Sequence, residues 1–290
     1  MYPSVLPQIR DAIKRRYELI PYLYELCFRS CLDAQPIQRW VGWEPYDADP
    51  EVWKIPSLRE GESQFFLGDA FLVGGVFEEC ATQVTIYLPS CTEICNKYES
   101  YHNDGFISIH PPYRYYPSGQ WITIPTPLSN IAVLARVGAV VPVGRPWATT
   151  ASPDLEPNLP LDDWRGIEIF PPPPSHSVRA RVYVGQWRED DGISKNSEPS
   201  EFEISYEANE HGILVRAKMV RQGVEAPWGQ ALWIIVPVGE HRPVFVLNRS
   251  GEIHAPGQQT TDSKGRHMYC IRGLEELENG LSTNPGLRVS

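Results

Sequence analysis

The most conspicuous reactive groups in this sequence are paired carboxylates: Asp47/Asp49, Glu78/Glu79, Asp162/Asp163 and Asp190/Asp191. Hydrolysis by two carboxyls needs them to face each other across a substrate, roughly 5 to 10 Å apart. Sequence neighbours on a strand point to opposite faces, so an adjacent pair cannot supply that geometry by itself. These doublets read as solvated turns or structural hydrogen-bond acceptors. The histidines (His102, His110, His176, His211, His241, His254 and His267) are isolated, three of them beside Asn, Pro or Gly. No H-E-x-x-H, G-x-S-x-G, P-loop or G-x-G-x-x-G string occurs, so the chain carries no local signature of a zinc protease, a serine hydrolase or a nucleotide site. Cys27/Cys31 and Cys91/Cys95 are i,i+4 pairs without zinc-finger spacing, and they read as ordinary thiols. In Trp187-Arg188-Glu189-Asp190-Asp191-Gly192 the Asp-Gly step favours a tight turn with positive φ between strands. A hairpin is the first reading of that stretch and a ligand or calcium contact the second.

The elements that must position such groups follow from periodicity. Apolar residues recur at helical spacing from Ile9 to Cys27, so residues 5 to 33 are expected to be helical, with a kink or break near Ile20 caused by Pro21. Tyr17, Tyr22 and Tyr24 are expected to pack on that helix. Residues 36 to 44 read as one strand, and Pro45 to Ser63 as a polar loop. Gly68-Asp69 signals a turn between two apolar bursts. From Gln83 the texture is β: Val84 to Leu88, Gln120 to Pro125, then two short runs around Gly138, with a long loop over 89 to 119. Later strands are expected at Gly166 to Phe170, Val178 to Val184, Phe202 to Tyr206, Ile213 to Val220, Ala231 to Val236 and Val244 to Leu247. Their spacing suggests a sandwich. A fraying polar tail, with a weak helix near Leu274 to Leu277, closes the chain.

Composition excludes some partners. Over 290 residues, 36 acidic and 26 basic side chains leave a net charge of −10, which argues against a phosphate backbone or an anionic membrane as the main partner. No nucleic-acid or membrane role is expected. No run of about 18 apolar residues exists, and the first 16 residues lack the apolar region of a secretory signal. The 28 prolines are about twice the usual share, which favours loops, edges and turns. Nine Trp and 14 Tyr suit sandwich cores and sugar-stacking surfaces alike.

Four stretches, in order, carry a resemblance. Tyr17 to Leu26 (YELIPYLYEL) is similar to an L-L-P-Y-L-Y helix. Gln35 to Pro50 (QPIQRWVGWEPYDADP) is similar to P-V-M-R-P-L-x-x-E-F-P-x-D. Gln64 to Val76 (QFFLGDAFLVGGV) is similar to Q-F-x-L-G-D-x-L-L-V-A-P-V. Pro127 to Pro142 (PLSNIAVLARVGAVVP) is similar to P-L-x-x-I-P-V-F-V-R-A-G-x-I-I-P. Glu189 to Gly192 fits an E-D-D-G motif further on. Together they resemble the C-terminal portion of glycoside hydrolase family 31, the α-glucosidase and α-xylosidase family.

The resemblance implies a mainly β fold: two consecutive antiparallel β-sandwich domains, preceded by the terminal helix and strand of a (β/α)8 barrel. It places the barrel remnant at 1–62, the proximal sandwich at 63–150, a linker at 151–165, the distal sandwich at 166–255 and the tail at 256–290. The family hydrolyses α-glucosidic or α-xylosidic bonds with retention, using two Asp residues and no cofactor or metal. Its nucleophile lies in a W-x-D-M-N-E string, which is absent here. The resemblance therefore implies no catalytic residue in this chain and inactivity when alone, and Asp69 belongs to a sandwich motif rather than a catalytic one. Trp43 and Glu44, at the end of the presumed last barrel strand, are the substrate-near candidates. The implied partners are an oligosaccharide or α-glycoside and a chain carrying the rest of the barrel. The competing readings are a carbohydrate-binding β-sandwich module and a non-catalytic partner completing a separate barrel chain. One strand and its helices cannot bury their own apolar faces, so residues 1 to 62 are expected to expose an apolar patch unless they dock elsewhere.

Overall fold

The computed structural model describes residues 3–91, 104–146, 164–176, 181–225, 228, 232–248 and 251–271. After a 3-10 turn come α1 (Leu6–Glu18) and α2 (Ile20–Asp33), joined at Leu19. The break falls where Pro21 requires it: Pro sits in the first turn of α2, where a missing N–H costs nothing. The segment expected as one strand over 36 to 44 is different. Only β1 (Gln38–Arg39) is strand, and Trp40 to Tyr46 is a run of turns. The Trp43 N–H donates to the Trp40 carbonyl at 2.9 Å, and the Tyr46 N–H to that of Trp43 at 3.0 Å. Gly42 permits this, because a Cβ there would stand 2.5 Å from the Trp40 ring and 2.8 Å from Val52. The expected polar loop contains two short helices, α3 (Pro50–Lys54) and α4 (Pro56–Arg59). Asp49 caps α3 by accepting the Glu51 N–H.

The next strands are β2 (Gln64–Leu67), β3 (Phe71–Gly74), β4 (Gln83–Leu88), β5 (Phe106–Ser108), β6 (Tyr115–Tyr116), β7 (Gln120–Pro125), β8 (Ala132–Arg136) and β9 (Val140–Val143). Strands β5 and β6 interrupt the long loop expected over 89 to 119; their short, Pro-flanked sequences carry too little periodicity to read as strands. The order β1-β2-β3-β8-β5-β6 makes an antiparallel six-stranded sheet, while β4 pairs with β7 as a separate ribbon.

The remaining strands are β10 (Arg165–Ile169), β11 (Val182–Glu189), β12 (Ser200–Ala208), β13 (Ile213–Arg221), β14 (Leu232–Ile235), β15 (Val244–Leu247), β16 (Ile253–His254), β17 (Gln258–Thr261) and β18 (His267–Ile271). They form two five-stranded sheets, β17-β18-β14-β10-β9 and β11-β12-β13-β15-β16. The fold is thus mainly β with sandwich packing. Its pairs are antiparallel except β10 with β14 and β13 with β15. In both cases the chain leaves for the opposite sheet before returning, and such a crossover restores the strand direction. Strands β17 and β18 fall in the expected polar tail: their polar outer residues conceal Tyr269, Cys270 and Ile271, which are buried. The expected helix near 274 to 277 and most of the expected linker lie outside the described residues. On either side of that linker, β9 and β10 pair with each other.

The six-stranded sheet is buried on both faces. Phe66, Leu72, Phe106 and Leu134 join Val41, Val52, Leu58 and Ile86 in one core. Phe71, Ile107 and Ala135 face the other way, into a larger core with Tyr22, Leu26, Trp187, Phe202 and Ile234. Alternation along each strand produces this division. The helix pair docks on the larger core through Tyr22 and Leu26. The Tyr22 hydroxyl donates to the Leu67 carbonyl at 2.9 Å and accepts the Ala70 N–H at 3.1 Å, clasping the β2–β3 turn. Gly68 in that turn has φ +59°, and a Cβ on it would fall 2.2 Å from the Tyr22 hydroxyl. Tyr17 and Tyr24, expected to pack, are instead largely exposed. They lie on the helix face turned away from the core.

Buried charges complete the docking. Glu168 on β10 accepts both Arg15 guanidinium nitrogens, at 2.7 and 2.8 Å, and also pairs with Arg266. Glu18 accepts Arg15 at 2.9 Å and Lys264 at 2.8 Å. Burial alone would push the Glu168 carboxyl up, but Arg15 and Arg266 hold it well below the usual carboxylate range.

Replacing Tyr22 with Phe leaves the buried Ala70 N–H and Leu67 carbonyl without their shared partner. The expected cost is about 1–3 kcal/mol, read as a lower urea midpoint with an unchanged slope; an unaltered midpoint would mean that the clasp contributes nothing to stability.

Candidate functional site

A cleft of about 540 Å³ opens where the helix pair meets both β units. Helix α2 contributes Glu25 and Arg29, and the segment after it Gln35, Arg39, Trp43 and Glu44. The β2–β3 turn supplies Asp69, β8 supplies Arg136, and β9 and β11 form the floor with Val140 and Val184. The structure therefore brings Trp43 and Glu44 together on the cleft wall. Their expected origin at the end of a regular strand is not what positions them. The turns after β1 do, pinned by the Trp40 ring, whose N–H donates to the Leu58 carbonyl at 2.6 Å.

An ion-pair chain crosses the cleft. Arg29 donates from Nε to Glu25 at 3.0 Å and from Nη1 to Asp69 at 3.1 Å. Glu25 also accepts the Arg188 backbone N–H at 2.9 Å and its Nη1 at 3.0 Å. Arg136 donates to the Asp69 carbonyl at 3.0 Å. Burial raises the Glu25 carboxyl above its ordinary value, against the pull of Arg29 and Arg188. At Asp69 burial acts in the same upward direction, yet Arg29, Arg136 and Arg39 overturn it and hold the carboxyl well below the usual range. Asp69 thus stays ionised and has no proton to give at neutral pH. The Arg29 guanidinium bridges Glu25 and Asp69, occupying the place a substrate would need between two hydrolytic carboxyls.

Arg39 is different. It is 4% exposed, donating from Nε to the Pro36 carbonyl at 3.0 Å and from Nη2 to the Gln35 amide oxygen at 2.9 Å. Both acceptors are neutral.

Asp49, Asp190 and Asp191 resolve as structural groups. Asp49 accepts the Tyr87 hydroxyl at 2.9 Å and the Ser90 N–H at 2.7 Å. Asp190 takes the Gly192 N–H at 2.9 Å and the Tyr24 hydroxyl at 2.8 Å, and Asp191 accepts the N–H groups of Ile193 and Ser194. These bonds make the turn between β11 and β12, with Gly192 at φ +64°. Asp162 and Asp163 lie outside the described residues. No group of three or more potential metal ligands gathers among the described residues, and none of their helices is long and apolar enough to cross a membrane.

Sequence reasoning did not pick out Arg29, Arg39 and Arg136. The i,i+4 spacing of Glu25 and Arg29 on a helix was a usable signal for one ion pair. The convergence of Asp69 and Arg136, 67 positions apart, had none.

A helix pair clamped to a two-faced sheet and a second pair of sheets makes a mainly β architecture with sandwich packing. Residues 34–141 match the family model "Glycosyl hydrolase family 31 C-terminal domain". Neutral alpha-glucosidase C of Mus musculus is 33% identical over 135 residues, 47% of this chain and 13% of that protein. Lysosomal alpha-glucosidase of Bos taurus is 31% identical over 146 residues, 49% of this chain and 15% of that protein. Among solved structures, the GH31 dextranase of Flavobacterium johnsoniae superposes with a TM-score of 0.62 at 18% identity, covering 94% of this chain and 33% of that one. Residues 34–141 thus match the family-31 C-terminal domain, and the chain spans a small fraction of the length of the relatives it matches.

The Arg29–Asp69 pair generates a pH prediction. A carboxyl held low in the folded state stabilises fully above its unfolded value, about 3.9, and that contribution fades as pH falls toward the folded value. Asp69→Asn is therefore expected to melt below the unmodified protein at pH 7, with the gap shrinking below about pH 4. Thermal melts across that range check it; a gap that stays constant down to about pH 2.5 contradicts the assignment.

Proposed function

We propose that this chain supports the catalytic barrel of an α-glycosidase acting on α-glucosidic or α-xylosidic bonds, and that it performs no hydrolysis alone. The two catalytic aspartates would belong to polypeptide outside these 290 residues. In this reading residues 1–62 are the closing part of that barrel, 63–150 the proximal sandwich, 151–165 the linker, 166–255 the distal sandwich and 256–290 the tail. Trp43 and Glu44 are its residues nearest the substrate.

One observation carries the proposal. Leu6, Ile9, Ile13, Tyr17, Ile20 and Tyr24 are all exposed, and they recur at intervals of three and four residues across both helices. Within α1 such spacing makes a stripe from Leu6 to Tyr17, about 17 Å long at 1.5 Å per residue, and Ile20 and Tyr24 carry the exposure onto α2. An exposed apolar run of this kind calls for a covering surface. The remainder of a family-31 barrel fits: this chain superposes over 94% of its own length on only 33% of the dextranase. A separate chain carrying the barrel and a continuous polypeptide would cover the stripe equally well. The resemblance to α-glucosidases supports the substrate class.

Two outcomes are expected. The purified chain releases no 4-nitrophenol from the 4-nitrophenyl α-glucoside or α-xyloside, and turnover persisting through purification to homogeneity would refute the supporting role. The double substitution Ile9→Lys/Ile13→Lys abolishes capture of a barrel-bearing polypeptide from the source cell. Because both side chains lie on the open face, it changes folding stability by no more than about 0.5 kcal/mol per site. Undiminished capture by the variant contradicts the stripe as the interface.

A further inference from the structure

We infer that Cys27 and Cys31 on α2 form a binding site for one Cu(I) ion, held between their two sulfurs. Both thiols are free and exposed, and both lie on the helix Ile20–Asp33, four positions apart. On a helix that spacing makes neighbours, with Cβ atoms about 5–6 Å apart. Side chains there lean back toward the helix N-terminus, which carries the Cys31 sulfur toward Cys27. A disulfide needs Cβ atoms about 3.5–4.5 Å apart, so the helix keeps the two sulfurs as separate thiols. An ion placed between them spans a gap that a direct S–S bond cannot.

The donor set selects the ion. Thiolate sulfur prefers soft metals such as Cu(I) and zinc. Structural zinc takes four ligands, and no group of three or more His, Cys, Asp or Glu side chains gathers among the described residues. Two thiolates in a linear arrangement satisfy Cu(I), which asks nothing more of the protein. The surroundings also favour a cation. Tyr24, one turn before Cys27, donates to Asp190 at 2.8 Å. Its hydroxyl is pushed up to about 12, first by that hydrogen bond, then by burial and by the charges of Asp190, Cys27 and Asp191. Cys27 therefore lies within electrostatic reach of the acidic turn between β11 and β12. Arg29, which falls between the two cysteines in sequence, is already engaged by Glu25 and Asp69. Uptake exchanges two thiol protons for one Cu(I), whose oxidation state does not change, and leaves a bis-thiolate complex with a single negative charge. This inference goes beyond the supporting role above and does not depend on it, since the chemistry needs only the two sulfurs.

The test is transfer of Cu(I), without oxygen, from its bicinchoninate complex to the full chain, reduced and then freed of reductant. Loss of the complex's colour reads the transfer, and one equivalent is expected to move. Cys27→Ser and Cys31→Ser should each weaken retention at least about 100-fold, because a single thiolate loses the second, tethered contact. Cys80→Ser removes another exposed thiol and should change nothing. X-ray absorption at the copper edge should show two sulfur neighbours. Should either Ser variant lower the melting temperature, N-ethylmaleimide labelling of the unmodified chain is the second measurement: Cu(I) should protect Cys27 and Cys31 together and leave Cys80 open. The inference is overturned by absence of transfer, by transfer that survives in either single variant, by dependence on Cys80, by a third sulfur neighbour, or by tighter retention of Zn(II) than of Cu(I).

Discussion

A carboxylate can leave water only where cations and N–H groups meet it, and three buried carboxylates determine how this molecule is put together. Glu18, Glu25 and Glu168 are each at most 5% exposed, and each is met by basic groups from a distant part of the chain. Arg15 on α1 reaches Glu168 on β10; Lys264, in the turn between β17 and β18, reaches Glu18; Arg188 on β11 reaches Glu25 on α2. The helix pair therefore has one permitted seat. Hydrophobic burial of Tyr22 and Leu26 supplies attraction without direction, whereas these pairs set register and orientation.

That seat has two consequences. It turns the stripe from Leu6 to Tyr24 outward, so the apolar side chains that a free helix would hide in its own core are offered to another surface. It also holds Arg29 and Glu25 over the β2–β3 turn, creating the cleft on whose walls Trp43, Glu44 and Arg39 stand. Surface and cleft are thus two results of the same docking geometry. The ionic chain through Arg29 stiffens the cleft and at the same time removes Glu25 and Asp69 from acid–base work, since each is already bound to a guanidinium.

The regular strands with clear alternation were legible in advance, because a period of two over five or more residues has no other explanation in a globular chain. Strands β4, β7 and β13 lie close to where alternation puts them. The helix break at Pro21 was legible for the equally local reason that proline cannot donate. Strands β1, β5 and β6 were not, since two or three residues carry no period. Trp40 to Glu44 misled for a different reason. Its β-branched and aromatic residues favour a strand, but packing of the Trp40 ring over Gly42 and against Val52 holds it in turns.

The sequence by itself determined the parts whose causes are local: helices and their break, the alternating strands, the glycine turns, the ordered motifs that resemble family 31, and the absence of the W-x-D-M-N-E string. Tertiary structure alone decided which face of the helices is left open, that β9 and β10 belong to one sheet, and that Arg29, Asp69, Arg136 and Arg39 converge on one cleft. The physical reason is that burial and ion pairing depend on distance in space, and residues 29, 69 and 136 acquire a common neighbourhood only when the sheets close.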